Sequence, residues 1–139
     1  MGLVRFGVSL ERSLLTAFDK LCLENKYNNR SEALRDLIRD KLVGDEWAHA
    51  KGQVTGVITL VYDHHKRELV DNLIRIQHDH RSTIIIASQH IHLNHDNCLE
   101  VIVVRGEAGS VKDLASRLRS SKGVKHGELV MTTTGEDLK

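Results

Sequence analysis

Residues Gln89–Glu100 read Gln-His-Ile-His-Leu-Asn-His-Asp-Asn-Cys-Leu-Glu, and the rest of the chain is arranged around this stretch. Three isoleucines at 84–86 precede it, and the run Val-Ile-Val-Val at 101–104 follows it. Both flanks are β-branched, as is typical of strands, whereas residues 94–97 are polar and favour a turn. The stretch therefore predicts a β-hairpin.

The hairpin carries three candidate metal ligands. Side chains alternate between the two faces of a strand, so His90 and His92 share a face. Cys98 begins the returning strand and lies close enough to add a thiolate. Two imidazoles and a thiolate suit zinc in a tetrahedral site, or nickel or copper(II) in a planar one. The alternative without a metal is that the two histidines are solvated and the cysteine is a buried thiol. Three ligands are one short, so the fourth must come from elsewhere in the chain or from another copy.

Length and composition set the class of protein. The 139 residues allow one ordinary domain or two small ones, and 40% hydrophobic with 28% charged residues is typical of soluble globular proteins. The net charge of +1 argues neither for nor against nucleic acid. Two cysteines exclude a disulfide scaffold, and no signal peptide or run of 18 apolar residues is present. These observations predict a cytoplasmic protein with no membrane partner.

The N-terminal segment predicts an intertwined dimer. Residues 5–10 alternate apolar and polar side chains, as in a half-buried strand, and apolar residues at helical spacing follow from 14 to 22. Asn29 is placed to cap a second helix, with Glu32 in the capping-box position, and this helix is expected to run on towards Trp47. A lone strand and two short helices cannot bury a core or satisfy the strand's backbone. Two chains pairing their strands as an antiparallel ribbon would do both.

This pattern resembles the ribbon-helix-helix DNA-binding domain, and Tyr27–Asp36 resembles the start of its second helix. Such domains place the two-stranded ribbon in the DNA major groove. The resemblance implies that Arg5 and Ser9 read base edges. It also implies that Arg30 and Ser31, at the N-terminus of the second helix, contact backbone phosphates. The alternative is that Arg5 and Ser9 are only the solvated face of a dimerisation strand.

The periodicity changes after a predicted linker at 44–52, which divides the chain into domains 1–50 and 51–139. The elements predicted for the second domain are, in order, a strand at 54–62, a helix capped by Asp63, the two hairpin strands, a helix capped by Ser110 and a strand at 124–131. The order strand-helix-strand-strand-helix-strand is that of a ferredoxin-like fold. The predicted fold class is α+β, with a ribbon-helix-helix domain followed by a ferredoxin-like βαββαβ domain.

A ribbon-helix-helix unit followed by a ferredoxin-like domain with His-x-His and a nearby cysteine resembles the nickel-responsive transcriptional regulators of the NikR family. The resemblance extends over nearly the whole chain, to about Thr134. The motifs that carry it are Tyr-Asn-Asn-Arg-Ser-Glu-Ala at 27–33, Val-Tyr-Asp-His-His-Lys-Arg-Glu-Leu at 61–69, Ile-Gln-His at 76–78, His-Ile-His at 90–92, Asn-Cys-Leu-Glu at 97–100 and Gly-Val-Lys-His-Gly at 123–127.

The resemblance implies a ligand set. In that family the His-x-His pair and the cysteine are three ligands of a planar nickel site, and they match His90, His92 and Cys98. The fourth is a histidine that follows a glutamine at the end of the domain's first helix, donated by a neighbouring subunit. That position matches His78.

The spacing leaves one alternative for the fourth ligand. From Gln77 to His90 the chain is one residue longer than is usual in the family. The extra residue is expected in the loop 79–83, with the helix end intact and His78 as the ligand. If the extra residue alters the helix end, His80 takes this role.

The resemblance implies a nickel-responsive repressor with one Ni²⁺ per subunit. It also implies a homotetramer, a dimer of dimers, that binds a palindromic double-stranded operator. Nickel binds neutral imidazoles and a thiolate, so its binding releases protons and weakens as pH falls. The resemblance further suggests a second cation at Glu32 and Asp36, although pairing with nearby arginines is the simpler account.

Two other functions compete with a nickel sensor. The same architecture could sense another metal or a small ligand, because a fold does not fix a function. A small zinc hydrolase would use the same three ligands and an open position, but Glu100 is not clearly placed as its general base. The protein is therefore predicted not to be an enzyme. His64, His65 and His95 are expected to be solvated, although His64 and His65 could also bind extra metal.

Overall fold

The computed structural model describes residues 2–49 and 52–138. Their helices and strands are, in chain order, α1 Arg12–Glu24, α2 Arg30–His49, β1 Gln53–Asp63, α3 Arg67–Asp79, β2 Thr83–His92, β3 Asn97–Glu107, α4 Ala108–Arg119 and β4 Val124–Met131. The chain divides into two compact units, the first ending at Asp40 and the second beginning at Lys41. The boundary predicted between residues 50 and 51 lies outside the described residues. No helix within the described ranges is long and apolar enough to cross a bilayer.

The N-terminal segment 2–11 has neither helical nor strand structure. A strand was predicted at 5–10, but a strand needs a partner, and no described residue of the same chain pairs with this segment. Its apolar side chains are open to solvent, with Phe6 70% and Val8 60% exposed. The two-chain ribbon therefore stays a prediction.

The start of α2 is fixed in two ways. Asn29 is the predicted cap, and its Oδ1 accepts the backbone N–H of Glu32 at 2.9 Å. Arg30 donates two hydrogen bonds to Asp19 on α1, from Nε to Oδ1 at 2.8 Å and from Nη2 to Oδ2 at 2.9 Å. This ion pair holds the pKa of Asp19 below its usual value. Both partners are about half exposed, so the pair mainly orients the two helices.

Helix α2 continues through Gly44 to His49, which confirms the predicted extension towards Trp47 and replaces the linker predicted from residue 44. The reason is Trp47, which is 2% exposed and packs in the core of the second unit. Its Nε1 donates to the carbonyl oxygen of Thr132 at 2.8 Å. A buried indole with a satisfied N–H outweighs the cost of about 1 kcal/mol for a glycine within a helix.

The second unit has the predicted ferredoxin-like fold. Its antiparallel sheet has the order β2-β3-β1-β4. Alternate residues of β1 and β3 are buried, because the apolar side chains of helices α3 and α4 pack on that face of the sheet. The core is centred on Ile58, Leu60, Leu73, Ile102, Val104, Leu114 and Leu118.

Both predicted helix caps in this unit are wrong. Strand β1 continues to Asp63, whose Oδ1 accepts the N–H of His65 in a turn, and α3 begins only at Arg67. Helix α4 begins at Ala108, directly after β3, so Ser110 lies within its first turn. Ala108 is fully buried, and this packing starts the helix earlier than the polar cap signal indicated.

Strand β2 contains a bulge at Ile86. Ile85 pairs with Val104 and Ala87 with Val103, so one residue of β2 has no partner on β3. The bulge is a second place, besides the loop 79–83, for the extra residue between Gln77 and the hairpin histidines. It also reverses the alternation of side chains along the strand, because the positions that face the helices are odd-numbered before it and even-numbered after it.

Candidate metal centre

The hairpin formed by β2 and β3 places three predicted ligands on one face. His90 pairs with Glu100 and His92 pairs with Cys98. Residues directly opposite each other in an antiparallel pair share a face of the sheet. That face is the one covered by the helices, because Cys98 and Glu100 are 1% and 3% exposed. The predicted hairpin and its shared face are both present.

The donor atoms of His90, His92 and Cys98 do not surround one point in this structure. Within the described ranges, the groups of three or more potential ligand atoms that lie within 4.8 Å of one another are Asp63 with His64 and His65, and His65 with His95 and Asp96. His92 instead lies edge-on to His64, with ring centroids 4.7 Å apart. His90 has its Nδ1 3.3 Å from the hydroxyl oxygen of Tyr62. Both histidines are exposed and lie on the face of the sheet that carries Cys98, so a site shared with Cys98 would require a change in their side-chain rotamers.

The donor set fits a borderline divalent metal. Burial raises the pKa of the Cys98 thiol, and the charges of Glu100 and Asp63 raise it further, whereas a hydrogen bond with Tyr62 lowers it. The metal-free group is therefore a protonated thiol at neutral pH. Two imidazoles and a sulfur on one face suit nickel better than a hard cation such as magnesium.

Glu100 is the centre of a hydrogen-bond network that the sequence did not reveal. Tyr62 donates its hydroxyl to Oε2 at 2.7 Å, and both Gln77 Nε2 and Ser88 Oγ donate to Oε1 at 3.2 Å. His90 Nε2 lies 3.6 Å from Oε1. A buried carboxyl in an apolar strand must have such partners, and that rule was the available signal. The network supports the hairpin, because Tyr62 and Glu100 both contact the imidazole of His90.

The hydroxyl of Tyr62 is expected to contribute strongly to stability. Burial and the hydrogen bond to Glu100 raise the pKa of Tyr62, so the hydroxyl stays protonated and donates. We expect Tyr62→Phe to lower the free energy of unfolding by about 1.5–3 kcal/mol, because it leaves a buried carboxyl oxygen short of a partner. Urea denaturation at fixed protein concentration measures this loss. The matched control is Tyr27→Phe, whose hydroxyl donates at 2.8 Å to the half-exposed Asp36. An equal loss in both variants would contradict this account.

The two histidines near the end of α3 have different surroundings. His78 lies in the last turn and is exposed. His80 has a side chain only 9% exposed, with Nε2 3.1 Å from Asp113 Oδ2, and this contact lowers the pKa of Asp113. Both histidines, with His90 and Glu100, line an open pocket of about 460 Å³. The side chain of His80 is therefore engaged within its own chain, and that of His78 faces solvent.

The predicted DNA contacts all lie in the first unit and are exposed. Arg5 and Ser9 lie in the segment 2–11. Arg30 and Ser31 stand at the start of α2, as predicted, with Arg30 bound to Asp19. The structure thus brings two of the four residues together at a helix N-terminus.

The histidines expected to be solvated differ among themselves. His65 and His95 are exposed, as expected. His64 is partly buried, its ring centroid lies 4.1 Å from that of His65, and its Nδ1 is buried without a hydrogen-bond partner among the described residues. Burial, together with the neighbouring His65 and His92, lowers the pKa of His64.

Comparison with known proteins assigns the family. Residues 55–132 match the family model described as the NikR C-terminal nickel-binding domain, and residues 4–43 match that of the ribbon-helix-helix proteins of the copG family. A relative from Nitratidesulfovibrio vulgaris (strain DSM 19637 / Miyazaki F), named "Putative nickel-responsive regulator", is 55% identical over 97% of this chain and 96% of its own. One from Pyrococcus furiosus with the same name is 52% identical over 99% of both chains.

A solved structure supports the fold alone. An uncharacterised protein from Thermotoga maritima has a TM-score of 0.50 and 12% identity, over 58% of this chain and 98% of that one. The family models and the relatives describe regulators and not enzymes. Because these matches cover both units and nearly the whole length, the chain belongs to the NikR family of nickel-responsive regulators.

Proposed function

We propose that this protein is a repressor that binds operator DNA when it has bound nickel. The observation that carries the proposal is the placement of His90, His92 and Cys98 on one face of the hairpin, in a chain whose N-terminal residues match a DNA-binding family. Two imidazoles and a thiolate supply three of the four donors that a planar nickel site needs. The site would take one Ni²⁺ per subunit.

The fourth ligand in this proposal is His78 of a neighbouring subunit. His80 is the alternative, but its Nε2 is engaged by Asp113 and its side chain is nearly enclosed. His78 is exposed and able to meet another chain. Ligands from two subunits would join the metal-binding domains into a homotetramer, a dimer of dimers.

The first unit supports the dimeric part of this proposal. Within residues 2–40 only Cys22 and Ala33 are buried, which is too little core for a stable fold. An apolar groove of about 690 Å³ crosses the unit, lined chiefly by Phe6, Val8, Leu10, Leu14, Leu15, Phe18, Leu34 and Leu37. A second copy that covers this groove would also pair the two N-terminal strands.

Paired strands would present Arg5 and Ser9 to the major groove, and two such ribbons would read the two halves of a palindrome in the cytoplasm. Nickel can favour DNA binding only by favouring the arrangement of domains that the operator prefers. The metal bridge between subunits supplies that preference.

The direct test is operator affinity with and without stoichiometric nickel. The DNA is selected from a random pool by the nickel-loaded protein, and anisotropy is measured at one fixed salt concentration, because phosphate contacts make affinity salt-dependent. We expect tight binding only with nickel. Equal affinity in both states would overturn the proposal. Competition titrations with zinc, copper and cobalt separate a nickel sensor from a sensor of another metal.

Arg5 is expected to carry base recognition. Arg5→Ala should weaken nickel-loaded operator binding by about 1–3 kcal/mol, roughly 5- to 150-fold, because it removes a two-pronged contact with guanine. The matched control is Arg75→Ala, since Arg75 is an exposed arginine of the second unit. Nickel binding should be unchanged in both variants. Unaltered operator affinity of the Arg5 variant would favour the alternative, in which Arg5 and Ser9 are only the solvated face of a dimerisation strand.

A further inference from the structure

The ion pair between Asp19 and Arg30 fixes the direction of an arginine that stands at the start of α2. Arg30 is the first residue of this helix. Its Nε and Nη2 donate to the two carboxylate oxygens of Asp19, at 2.8 and 2.9 Å. A bidentate pair of this kind sets both the distance and the plane of the guanidinium. Arg30 is therefore held in one orientation before it meets any ligand.

The free side of this guanidinium suits a DNA phosphate. N–H groups remain on Nη1 and on the far side of Nη2, and they have no partner among residues 2–49 and 52–138. The side chain is 61% exposed, so a phosphate can reach them. The first backbone N–H groups of a helix also favour an anion. Arg30 and Ser31 line the same groove as Ser9, which places the arginine beside the segment that is predicted to read base edges.

Asp19 has two opposite effects on such a contact. Its negative charge repels the phosphate, but the pair is exposed, and salt screens repulsion beyond about 8 Å at physiological ionic strength. Its two hydrogen bonds also restrict a long side chain, and arginine is among the residues that lose most rotamer freedom on ordering. With Arg30 already ordered, DNA binding has less of this cost to meet. Preorganisation is the larger effect, because salt weakens the repulsion and not the cost of ordering.

We propose that Asp19 is a positioning residue for DNA binding, which holds Arg30 ready for a backbone phosphate. This role rests on the DNA-binding part of the proposed function and not on nickel. A phosphate contact carries no sequence information. The contribution of Asp19 is therefore the same on an operator and on DNA of unrelated sequence.

Asp19→Asn in the full-length protein tests this role. The variant keeps the shape of the side chain but loses its charge and one of its two acceptors. We expect DNA affinity to fall roughly 2- to 12-fold for each chain on the DNA, the usual cost of ordering one long side chain at an interface. Anisotropy at one fixed salt concentration measures the fall, on the selected operator and on a fragment of unrelated sequence.

Glu24→Gln is the matched control. It removes the same charge from the same helix, where Glu24 lies 3.7 Å from Lys20. Both substitutions raise the net charge equally, so only the loss of positioning should weaken binding, and the control should not weaken it. Tighter or unchanged binding by Asp19→Asn would overturn the proposal, because Asp19 would then compete with the phosphate or have no effect on it. An equal loss in the control would overturn it as well.

The salt dependence and a double variant show whether Asp19 acts through Arg30. Arg30→Ala should lower the slope of log affinity against log salt by about one, because a phosphate contact is lost. Asp19→Asn should keep the slope, since Arg30 retains its charge. Added to Arg30→Ala, Asp19→Asn should cause no further loss. A further loss, accompanied by a lower free energy of unfolding in urea, would indicate a merely structural role and overturn the proposal.

The same measurements, made with and without nickel, separate this role from the proposed function. If nickel had no effect while Asp19→Asn still weakened binding to both DNAs, the nickel-dependent repressor would be wrong and the role of Asp19 would stand. If nickel dependence were intact and Asp19→Asn bound normally, only the role of Asp19 would be wrong. Absence of DNA binding by the unaltered protein would overturn both.

Discussion

Cys98→Ala is expected to remove nickel-dependent operator binding while the protein remains folded. Structural zinc sites with four ligands supply about 10–16 kcal/mol, and if nickel is similar one ligand accounts on average for a quarter of this, roughly a hundredfold in affinity. The side chain is 1% exposed, and deleting its sulfur leaves only a small cavity, at a cost of about 1 kcal/mol. Nickel titration by absorbance and operator anisotropy measure the two effects.

Cys22→Ala is the matched control for this experiment. Cys22 is the other free thiol of the chain and is also buried, but it lies on α1 in the first unit. Its replacement removes the same atom and should leave the nickel band and the metal dependence intact. If Cys98→Ala still bound operator more tightly with nickel than without it, the thiolate would have no part in the switch.

Mixing two inactive variants is expected to restore nickel sites if the site spans two subunits. His78→Ala lacks only the donor that a chain gives to its neighbour, and Cys98→Ala lacks only a donor of the hairpin. In a mixed tetramer, a hairpin from the His78 variant can meet His78 from the Cys98 variant, and that site is complete. Recovery of the thiolate band after subunit exchange is the measurement.

The control mixture combines His92→Ala with Cys98→Ala. His92 and Cys98 are paired residues of one hairpin, so every site in this mixture lacks one of them. No band should return. Recovery of the band in both mixtures would show that the band does not report a complete site. Recovery in neither would mean that the fourth ligand does not come from His78 of another chain.

The strands were predicted well because their signal is local. The run Val124–Met131 has the bounds expected from its sequence, and the hairpin lies where β-branched flanks and a polar turn placed it. The predicted cap of α2 is confirmed at Asn29, but the two helix starts of the second unit were predicted wrongly, because a cap residue competes with packing. Asp63 stays in the strand, and burial of Ala108 begins α4 two residues before Ser110.

Features that depend on distant contacts were harder to predict. The helix was expected to run towards Trp47, but the packing of Trp47 in the core of the second unit is a contact that no local pattern reveals. The partners of Glu100 come from β1, α3 and β2, so they meet only when the sheet and helix are assembled. The predicted N-terminal strand would pair with a second chain, so it stays a prediction, because no described residue of the same chain pairs with this segment.

Because of the bulge at Ile86, the direction in which His90 and His92 point depends more on the number of residues in β2 than on most of its side chains. If one residue were inserted or deleted between Ile86 and His90, the two histidines would turn towards the opposite side of the sheet, away from Cys98. A conservative replacement in the same segment would leave their direction unchanged. Chimaeras that graft this hairpin onto another scaffold would therefore have to carry the bulge with it, and length variants among relatives should be found before Ile86 and not after it.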